Sequence, residues 1–326
     1  MGTHSDLLSD EEVESLRAEK YNATITHLEK PNPRLMRMRV RLDDGVQPEG
    51  VALGYEPGQY TTLGLGYWEP RHPEADPEQL DEKTVRRVAK RAYSVSCRLL
   101  DESGKVQAAG PEDEPEFYIA LVTEAEKAPP ALTPRLFLCE VGDRLEMSPR
   151  PKGHFTLGDI QPTDDVLFAG TGTGEAPHNA MLSKLLAEGH RGRIANVCCV
   201  RYKADLGYTR EHDRLMADFP NYRYVPLTTR ERENRDKADP GYVGALYVQD
   251  LLASTHCAAR LGFELNPDST HVFLCGNPAM IGIPNKPDHP DGRYPTPRGA
   301  VEVLEGLGFR ADEPKSPGNI HYEKYW

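Results

Sequence analysis

The sequence lacks the paired cysteine spacings of metal centres and disulfide frameworks. None of its six cysteines form a C-x-x-C pair, which is the spacing that zinc sites and iron–sulphur clusters commonly use. Disulfide frameworks are typical of short secreted chains, whereas this chain has 326 residues. We therefore expect reduced, mostly buried thiols and no bound metal.

Two further absences bear on location and partners. No stretch approaches the roughly 20 consecutive apolar residues that cross a bilayer. The first residues, MGTHSDLLSDEEVESL, have neither the basic start nor the apolar core of a signal peptide. An excess of basic charge is absent as well, since the net charge is -12. This charge disfavours non-specific binding to nucleic acid. We expect a cytoplasmic, monomeric protein with neither a membrane nor a nucleic-acid partner.

The most informative stretch that is present covers residues 166–186, VLFAGTGTGEAPHNAMLSKLL. Its apolar start predicts a buried strand, the alternate glycines a tight turn, and the remainder a helix. Glycines permit positive φ and close approach of backbone N–H groups to a ligand, and a helix N-terminus favours an anion. The turn therefore suits a phosphate or pyrophosphate. Because the spacing is G-x-G-x-G rather than G-x-G-x-x-G, a plain strand-to-helix turn is an equally good interpretation.

The first half of the chain has the pattern of an antiparallel β domain. Residues 1–17 form an acidic lead-in, and short alternating segments over 21–28, 35–42, 58–65, 91–100 and 117–124 predict strands. Residues 67–84 are polar with three prolines and predict an inserted surface loop. Thr133 before Pro134 predicts an N-cap and a short helix. We expect the last strands of this domain over 143–147 and 154–157.

The second half alternates strands with helices. Continuous apolar segments over 193–200, 222–228 and 271–277 predict a parallel sheet that is covered on both faces. The proline-rich residues 282–297 predict a second inserted loop, which a helix over 298–307 and an aromatic tail follow. We place the domains at 18–158 and 159–326, after an N-terminal extension over 1–17.

Three motifs in a fixed order carry a resemblance. RAYS at 91–94, GTGTGEAP at 170–177 and CGNPAM at 275–280 together resemble the ferredoxin–NADP reductase family, and most of all its bacterial subclass. The stretches PGQYTTLGL, GHFTL, VRYKADLGY and EKYW match as well. The resemblance implies an antiparallel β-barrel that binds FAD, followed by an α/β domain that binds NADP(H). It also implies hydride transfer between NADP(H) and flavin N5, with single electrons exchanged with ferredoxin or flavodoxin.

The resemblance also implies roles for individual residues. In the family, Arg91 pairs with the FAD pyrophosphate, Tyr93 packs on the isoalloxazine ring, and Ser94 hydrogen-bonds near N5. Cys275 contacts the nicotinamide, and Glu323 lies near the reaction centre. The cofactor-binding set implied in this way is Tyr60, Arg91, Ala92, Tyr93, Ser94, Thr133, Gly170, Thr171, Gly172, Thr173, Gly174, Arg201, Arg230, Tyr247, Gly276, Asn277, Tyr325 and Trp326.

Some of these assignments leave alternatives open. Either Tyr325 or Trp326 covers the flavin face, and the other contacts the adenine of FAD. Near Thr133 the family often has a glycine-rich phosphate turn, whereas this chain has Pro-Pro-Ala at 129–131, so a rigid bend is as good an interpretation as a ligand contact. We expect His154 and His178 to be surface or packing residues, since hydride transfer to flavin does not require an imidazole.

Cofactor preference can be predicted from a missing acid. NAD-selective folds place Asp or Glu at the end of the second strand to bind the ribose hydroxyls, but the segment 193–200 is followed by Arg201. Arg230 follows the third strand, and Tyr247 resembles the tyrosine that stacks on adenine in the family. The sequence therefore predicts a preference for NADP(H), although Ala245 stands where the bacterial subclass often has a further arginine.

The electron partner is predicted from local charge. Five basic residues lie in sequence beside the motifs of the FAD domain, and they are Arg86, Arg87, Lys90, Arg150 and Lys152. They favour an acidic carrier protein, although a solvated strand edge is an equally good interpretation. Two other functions remain open: an NAD(P)H-dependent reductase component of an oxygenase, and a non-catalytic flavin-binding sensor.

Overall fold

The computed structural model describes residues 7–48, 52–110, 114–158, 160–285, 289–290, 292–313 and 316–325. The chain divides into two compact units. The first comprises Met1–Cys97 with Ala109–His154, and the second comprises Arg98–Ala108 with Phe155–Trp326. Among the described residues, no helix has the length and apolar character needed to cross a membrane.

The first unit is an antiparallel barrel of six strands. The strand order is β4-β3-β6-β1-β2-β5, and hydrogen bonding between Ser96 and Glu116 joins the chain after β4 to β5. This confirms the predicted barrel. The elements are α1 (Asp10–Lys20), β1 (Ala23–Asn32), β2 (Leu35–Leu42), β3 (Tyr60–Gly66), α2 (Glu82–Val85), β4 (Val88–Ser94), β5 (Glu116–Ala120), α3 (Thr133–Leu136) and β6 (Arg144–Met147).

Local interactions correct three of the predicted boundaries. The predicted strand over 91–100 begins at Val88 and ends at Ser94, and residues 154–157 form no strand. Thr133 is not the N-cap but the first residue of α3, because its hydroxyl is used elsewhere: it accepts from the Val122 amide at 3.1 Å and donates to the Val122 carbonyl. The acidic lead-in is helical, and Ser9 and Glu12 form a capping box at its start.

The insertion 67–84 is not a free surface loop. Its Trp68 is 2% exposed and covers Gly66, where the indole occupies the space that a Cβ would need. The indole also stacks near Tyr21 at 6.0 Å between ring centres and donates to Glu69 at 3.0 Å. The polar, proline-rich composition concealed this anchor because one large apolar side chain is enough to fix the start of a loop.

The second unit contains a five-stranded parallel sheet in the order β11-β10-β7-β8-β9, which confirms the predicted α/β class. The C-terminal aromatic tail is a correction, since it forms the edge strand β11. The elements are β7 (Asp165–Thr171), α4 (Glu175–Ala187), β8 (Ile194–Val200), α5 (Thr209–Asp218), β9 (Tyr222–Thr228), α6 (Arg232–Arg235), α7 (Val248–Ala253), α8 (Cys257–Leu261), β10 (Thr270–Gly276), α9 (Pro278–Ile281), α10 (Ala300–Gly306) and β11 (Ile320–Lys324).

The two faces of this sheet differ chemically. One face is apolar and packs against α7 and α10. On the other, the register aligns Phe273, Phe168, Asn196 and Tyr224 in one row across four strands. Several polar side chains are fully buried on this second face, which continuous apolar strands did not predict, because single Asn or Tyr residues do not interrupt a hydrophobic run.

Candidate functional site

The glycine-rich turn of the second unit places one glycine in an unusual conformation. Gly172 has φ 54°, and a Cβ built there would meet nothing within 4 Å. Gly170 and Gly174 do not have positive φ, contrary to the expectation for alternate glycines. Gly174 instead lies against the carbonyl of Cys275, so any side chain would collide with that backbone. One glycine thus supplies the turn with open space beside it, and another supplies close packing.

Hydrogen bonds join this turn to the CGNPAM motif. The hydroxyl of Thr171 accepts from the Asn277 amide at 2.8 Å, and the Asn277 side chain caps α9 by accepting from Ala279. Gly276 has φ 120° and approaches Thr171 so closely that a Cβ would overlap its side chain. Two motifs separated by about a hundred residues of sequence therefore meet at the carboxyl edge of the sheet, where open α/β folds bind ligands.

The C-terminal strand adds a third component to this edge. The Tyr325 hydroxyl donates to the Thr173 carbonyl at 3.2 Å, and its amide donates to the Gly276 carbonyl at 3.0 Å. Glu323 lies in register with Cys275 on the adjacent strand. Of the two terminal aromatics, Tyr325 thus contacts the glycine-rich turn, and Trp326 lies outside the described residues.

Cys275 is enclosed at this edge. Its side chain is 0% exposed. Burial raises the pKa of the Cys275 thiol well above its ordinary value, the nearby Glu323 carboxylate raises it further, and a hydrogen bond with Tyr325 opposes both effects. The group is therefore a neutral thiol. It suits packing against a ring rather than nucleophilic chemistry, which requires the thiolate.

Arg201 and Arg230 meet at the end of β8 and β9. The Arg230 amide donates to the Arg201 carbonyl at 2.8 Å, both residues are exposed, and neither has a carboxylate partner within the described residues. Neighbouring cations are neutralised: Lys203 pairs with Glu233 at 2.6 Å, and Arg232 pairs with two aspartates. The two free guanidinium groups therefore suit a phosphate.

Two exposed aromatic residues and a third exposed arginine also follow β8 and β9 in the sequence. Tyr247 is 48% exposed at the start of α7, and Tyr202, directly after Arg201, is 43% exposed. Arg235 on α6 is also exposed, and no described residue forms an ion pair with it. Sequence reasoning missed Tyr202 and Arg235. Only sequence position could have indicated them, since Tyr202 is one residue past Arg201 and Arg235 is five residues past Arg230.

A buried polar cluster begins α4, directly after the glycine-rich turn. The Glu175 carboxylate is 1% exposed and its Oε1 accepts from the Tyr224 hydroxyl at 2.8 Å and lies 3.1 Å from His212 Nε2. The other nitrogen of His212 bonds the Tyr222 hydroxyl at 2.8 Å. The cluster fixes α5 and β9 to the start of α4. Nothing in the sequence pattern pointed to it except a charged residue inside an apolar segment.

His178 is a packing residue, as predicted. Its ring lies between Phe168 and Phe155, with ring centres 5.2 and 6.0 Å away. The side chain is 0% exposed, and neither ring nitrogen has a hydrogen-bond partner among the residues described. Burial lowers the pKa of His178 to about 3. The imidazole is therefore neutral and takes no part in acid–base chemistry near neutral pH.

We expect His178 to make the stability of the fold depend on pH. An unfolded histidine binds a proton below about pH 6.5, whereas the folded one stays neutral down to about pH 3. Stability is therefore fully present above pH 6.5 and is lost as pH falls. The loss between pH 8 and pH 5 is about 2 kcal/mol. Urea unfolding of wild type and His178→Phe at both pH values measures it. Parallel pH curves for the two proteins would contradict this assignment.

The RAYS motif lies on β4 of the first unit. Arg91 and Ala92 are exposed, Tyr93 is half-buried and Ser94 is buried. Burial raises the pKa of the Tyr93 phenol, so the ring is neutral and suited to stacking. Ser94 lies opposite Tyr60 in the β3–β4 register, and Tyr60 exchanges two backbone hydrogen bonds with Lys152. Tyr60, Tyr93 and Ser94 are thus held close together by strand pairing.

An open depression of about 760 Å³ lies beside Arg91. Half of its ten lining residues are cationic, but these cations are not equally free of acidic partners. Arg86 pairs with Glu12 at 2.6 Å, and Lys90 pairs with Glu146. The lining residues are Glu19, Lys20, Tyr67, Arg86, Arg87, Val88, Ala89, Lys90, Arg91 and Glu146. Arg87 and Arg91 are the lining arginines that have no acidic partner within the described part of the chain.

These two regions fit the cofactors that the resemblance implies. In the first unit, the Arg91 guanidinium bonds the neighbouring Lys90 carbonyl at 2.8 Å and has no carboxylate partner among the described residues, so it suits a pyrophosphate. In the second unit, the open space at Gly172 and the free Arg201 and Arg230 suit a phosphorylated dinucleotide. Thr133 fits less well, because its hydroxyl is already bonded to Val122.

The chain is similar to known oxidoreductases in sequence and in structure. Residues 168–286 match the family model described as the oxidoreductase NAD-binding domain. The chain is 29% identical over 212 residues to a flavodoxin/ferredoxin–NADP reductase of Buchnera aphidicola subsp. Baizongia pistaciae, covering 65% of this chain and 74% of that protein. It is 26% identical to the reductase component of phenol 2-monooxygenase of Pseudomonas sp., covering 85% and 64% respectively.

The fold has close counterparts among solved structures. A ferredoxin–NADP+ reductase of Neisseria gonorrhoeae, solved with bound FAD and NADP, superposes with a TM-score of 0.65 at 20% identity, covering 94% of this chain and 99% of that one. A cytochrome P450 reductase from Amycolatopsis gives 0.59 at 20% identity, covering 93% and 69%. These likenesses establish the two-domain fold.

Proposed function

We propose that this chain, whose resemblance to the ferredoxin–NADP reductase family the comparisons confirm, is an FAD-dependent oxidoreductase that uses NADP(H). The observation that carries the proposal is the junction at the carboxyl edge of the parallel sheet. There Thr171 bonds Asn277 and Tyr325 bonds Thr173. The glycine-rich turn, the buried Cys275 and the aromatic end of the chain meet there although they are far apart in the sequence, and the resemblance assigns each of them to the binding of NADP(H) or flavin.

FAD would be held by the first unit. Arg91 would pair with the pyrophosphate, and Tyr93 would pack on the isoalloxazine ring. Ser94 would hydrogen-bond near N5, with Tyr60 beside it in the β3–β4 register. When bound, FAD accepts a hydride as an electron pair and releases electrons singly, a chemistry that amino-acid side chains do not supply.

NADP(H) would be held by the second unit. The turn from Gly170 to Gly174 would bind the pyrophosphate through backbone N–H groups. Arg201 and Arg230 would bind the 2′-phosphate, and Tyr247 would stack on the adenine. These contacts orient the dinucleotide, and orientation of two flat reactants accounts for much of the rate acceleration in hydride transfer.

The residues nearest the nicotinamide would act by position rather than by acid–base chemistry. Cys275 provides a neutral, buried surface for the ring, and Gly276 allows close approach. Tyr325 hydrogen-bonds the buried Cys275 thiol and is held by its bonds to Thr173 and Gly276, so it would have to move before a ring could contact the thiol. Glu323 on β11 would place a carboxylate near the reaction centre.

The visible spectrum of the purified protein tests this proposal. We expect a yellow protein with one FAD per chain that NADPH bleaches under anaerobic conditions. Arg91→Ala should lower FAD affinity about tenfold, because one charge-assisted hydrogen bond to phosphate is lost. Equilibrium dialysis measures the affinity, and Arg150→Ala, another exposed arginine of the same unit, serves as control. A colourless protein that FAD does not reconstitute would refute the proposal.

The electron acceptor distinguishes two functions. We propose ferredoxin or flavodoxin, and the oxygenase alternative rests on the similarity to the phenol 2-monooxygenase reductase component. We expect reduction of a ferredoxin to slow about tenfold or more from low to high salt, since a cationic patch steers an acidic carrier. Arg87→Ala should reduce the rate more than Arg86→Ala, because Glu12 already neutralises Arg86. Rates insensitive to salt would exclude this patch as the docking surface.

We also propose that the protein is a cytoplasmic monomer that binds neither nucleic acid nor membranes. The net charge of -12 supports the absence of non-specific binding to nucleic acid. A non-catalytic flavin-binding sensor is a weaker alternative to a reductase. Such a protein would not need the nicotinamide-binding motifs, whereas this chain has the GTGTG and CGNP motifs as well as RAYS.

A further inference from the structure

Two histidines face each other near the opposite edge of the parallel sheet. His271 on β10 and His321 on β11 lie on adjacent strands, and His271 Nδ1 is 3.5 Å from His321 Nε2. The rings are almost coplanar, with 8° between their planes, and their centres are 5.8 Å apart. At that separation the rings meet edge to edge, with both nitrogens between the two centres. Their side chains are 28% and 21% exposed, so solvent reaches the pair.

A carboxylate lies beside the outer nitrogen of each ring. Asp164 Oδ2 is 3.4 Å from His271 Nε2, and Asp312 Oδ2 is 3.4 Å from His321 Nδ1. An ionised carboxylate only accepts hydrogen bonds. Each outer nitrogen is therefore the protonated one, and in a neutral ring the inner nitrogen then carries a lone pair.

The two inner lone pairs point at each other, and no described residue places a donor between them. Their separation of 3.5 Å exceeds the usual range of a nitrogen hydrogen bond. Two acceptors facing each other repel unless an electron-poor atom lies between them. The neighbouring His190 does not supply one, because its Nε2 is within 2.8 Å of the Asp164 carbonyl.

We propose that His271 and His321 bind a divalent transition-metal ion such as Zn²⁺. Two Zn–N bonds of about 2.05 Å span the observed separation at an angle of about 117°, close to tetrahedral. The ion would lie about 1 Å to one side of the line between the nitrogens, so each ring would turn by about 30° to direct its lone pair at the ion. Water would complete the coordination shell on the exposed side.

Asp164 and Asp312 would form the second coordination shell. Histidine ligands of metals commonly donate their other ring N–H to a carboxylate, which fixes the tautomer and makes the bound nitrogen more basic. The described residues contain no group of three or more His, Cys, Asp or Glu side chains able to hold a metal, so this site has two protein ligands. The expectation of no bound metal rested on cysteine spacing, which gives no information about histidines on two different strands.

Such an ion would cross-link the edge of the sheet. Strand β11 is at the edge of the described sheet, where it pairs with β10 and forms one further bridge, between Ile320 and Ala311. At the carboxyl end of β11, Glu323 lies beside Cys275, and Tyr325 directly after the strand contacts the glycine-rich turn. A metal bound by both strands would therefore stabilise the C-terminal strand against local unfolding, without contacting the proposed reaction centre.

Isothermal titration of the reduced, metal-free full chain with ZnCl₂ at pH 7.5 tests the proposal. We expect one high-affinity ion per chain and a rise in melting temperature. His271→Gln and His321→Gln should each abolish both effects, and Asp164→Asn and Asp312→Asn should each weaken binding about tenfold or more. His256→Gln, an exposed histidine of the same unit, should bind as wild type does. Basal NADPH oxidation without metal should be unchanged in all five variants.

Three outcomes would overturn the proposal. The first is wild-type affinity in either His271→Gln or His321→Gln. The second is a cobalt-substituted protein whose spectrum shows thiolate ligands, which would assign the metal to cysteines. The third is no Zn²⁺ binding together with a proton shared between the rings in imidazole ¹⁵N spectra. If one histidine variant fails to fold, the other one and Asp164→Asn still decide between these results.

Discussion

Arg201→Ala and Arg230→Ala should each weaken NADPH binding about tenfold to a hundredfold and leave NADH binding almost unchanged. In the proposed site each substitution would remove one charge-assisted hydrogen bond to the 2′-phosphate, worth about 1.5 to 3 kcal/mol. The Arg230 amide bonds the Arg201 carbonyl at 2.8 Å, so the two side chains start from neighbouring positions in the backbone. Steady-state kinetics and binding titrations with both nucleotides measure the effect. Equal losses for NADPH and NADH would show that these arginines are structural.

Lys203→Ala is the matched control for this prediction. Lys203 is only two residues from Arg201 and carries the same charge, but Glu233 holds its ammonium group at 2.6 Å. We expect the loss of the Lys203 side chain to change NADPH affinity by less than about threefold, since an exposed cation that is already paired contributes little to binding. A large effect of Lys203→Ala would mean that the region acts through its total charge rather than through two specific contacts.

The second large effect concerns the insertion 67–84. Arg135→Met should lower the free energy of unfolding of the protein by about 3 to 5 kcal/mol, the usual result of removing one partner from a buried ion pair. The Arg135 side chain is 1% exposed. It pairs with Glu78 of the insertion and donates to the carbonyls of Ala131 and Tyr67 at 2.6 and 2.9 Å. Urea unfolding followed by circular dichroism measures the change.

Two further variants isolate the cause. Arg34→Met removes another ion pair to the insertion, with Glu74, but both side chains are more than half exposed, so we expect a cost below about 1 kcal/mol. Replacing Arg135 and Glu78 together by methionine should recover part of the lost stability, because the Glu78 carboxylate is no longer left without Arg135. Recovery should be incomplete, since Arg71 also pairs with Glu78 at 3.5 Å and loses that partner. A double variant as unstable as Arg135→Met alone would show that the backbone carbonyls, not the ion pair, require the guanidinium.

The motifs and most strands could be predicted because their determinants are local. The segment 222–228 matches β9 to the residue, since a strand in a buried parallel sheet is a short apolar run whose ends are visible in the sequence. The glycines of 170–174 likewise predicted a tight turn. The reason for each individual glycine could not be predicted from the sequence. Position 174 has to be glycine because a side chain there would collide with the carbonyl of Cys275, which lies a hundred residues further along the chain.

Sequence alone thus determined the two domain types, the order of the motifs and the absence of an acid after the second strand. Each of these depends on residue type and on spacing over a few residues. Tertiary structure decided which charges are free: Arg201 is unpaired among the described residues while Lys203 is neutralised. It also decided that Trp68 and Arg135 anchor an insertion, and that His271 meets His321. These contacts join residues distant in sequence, and only strand order and packing determine which of them become neighbours.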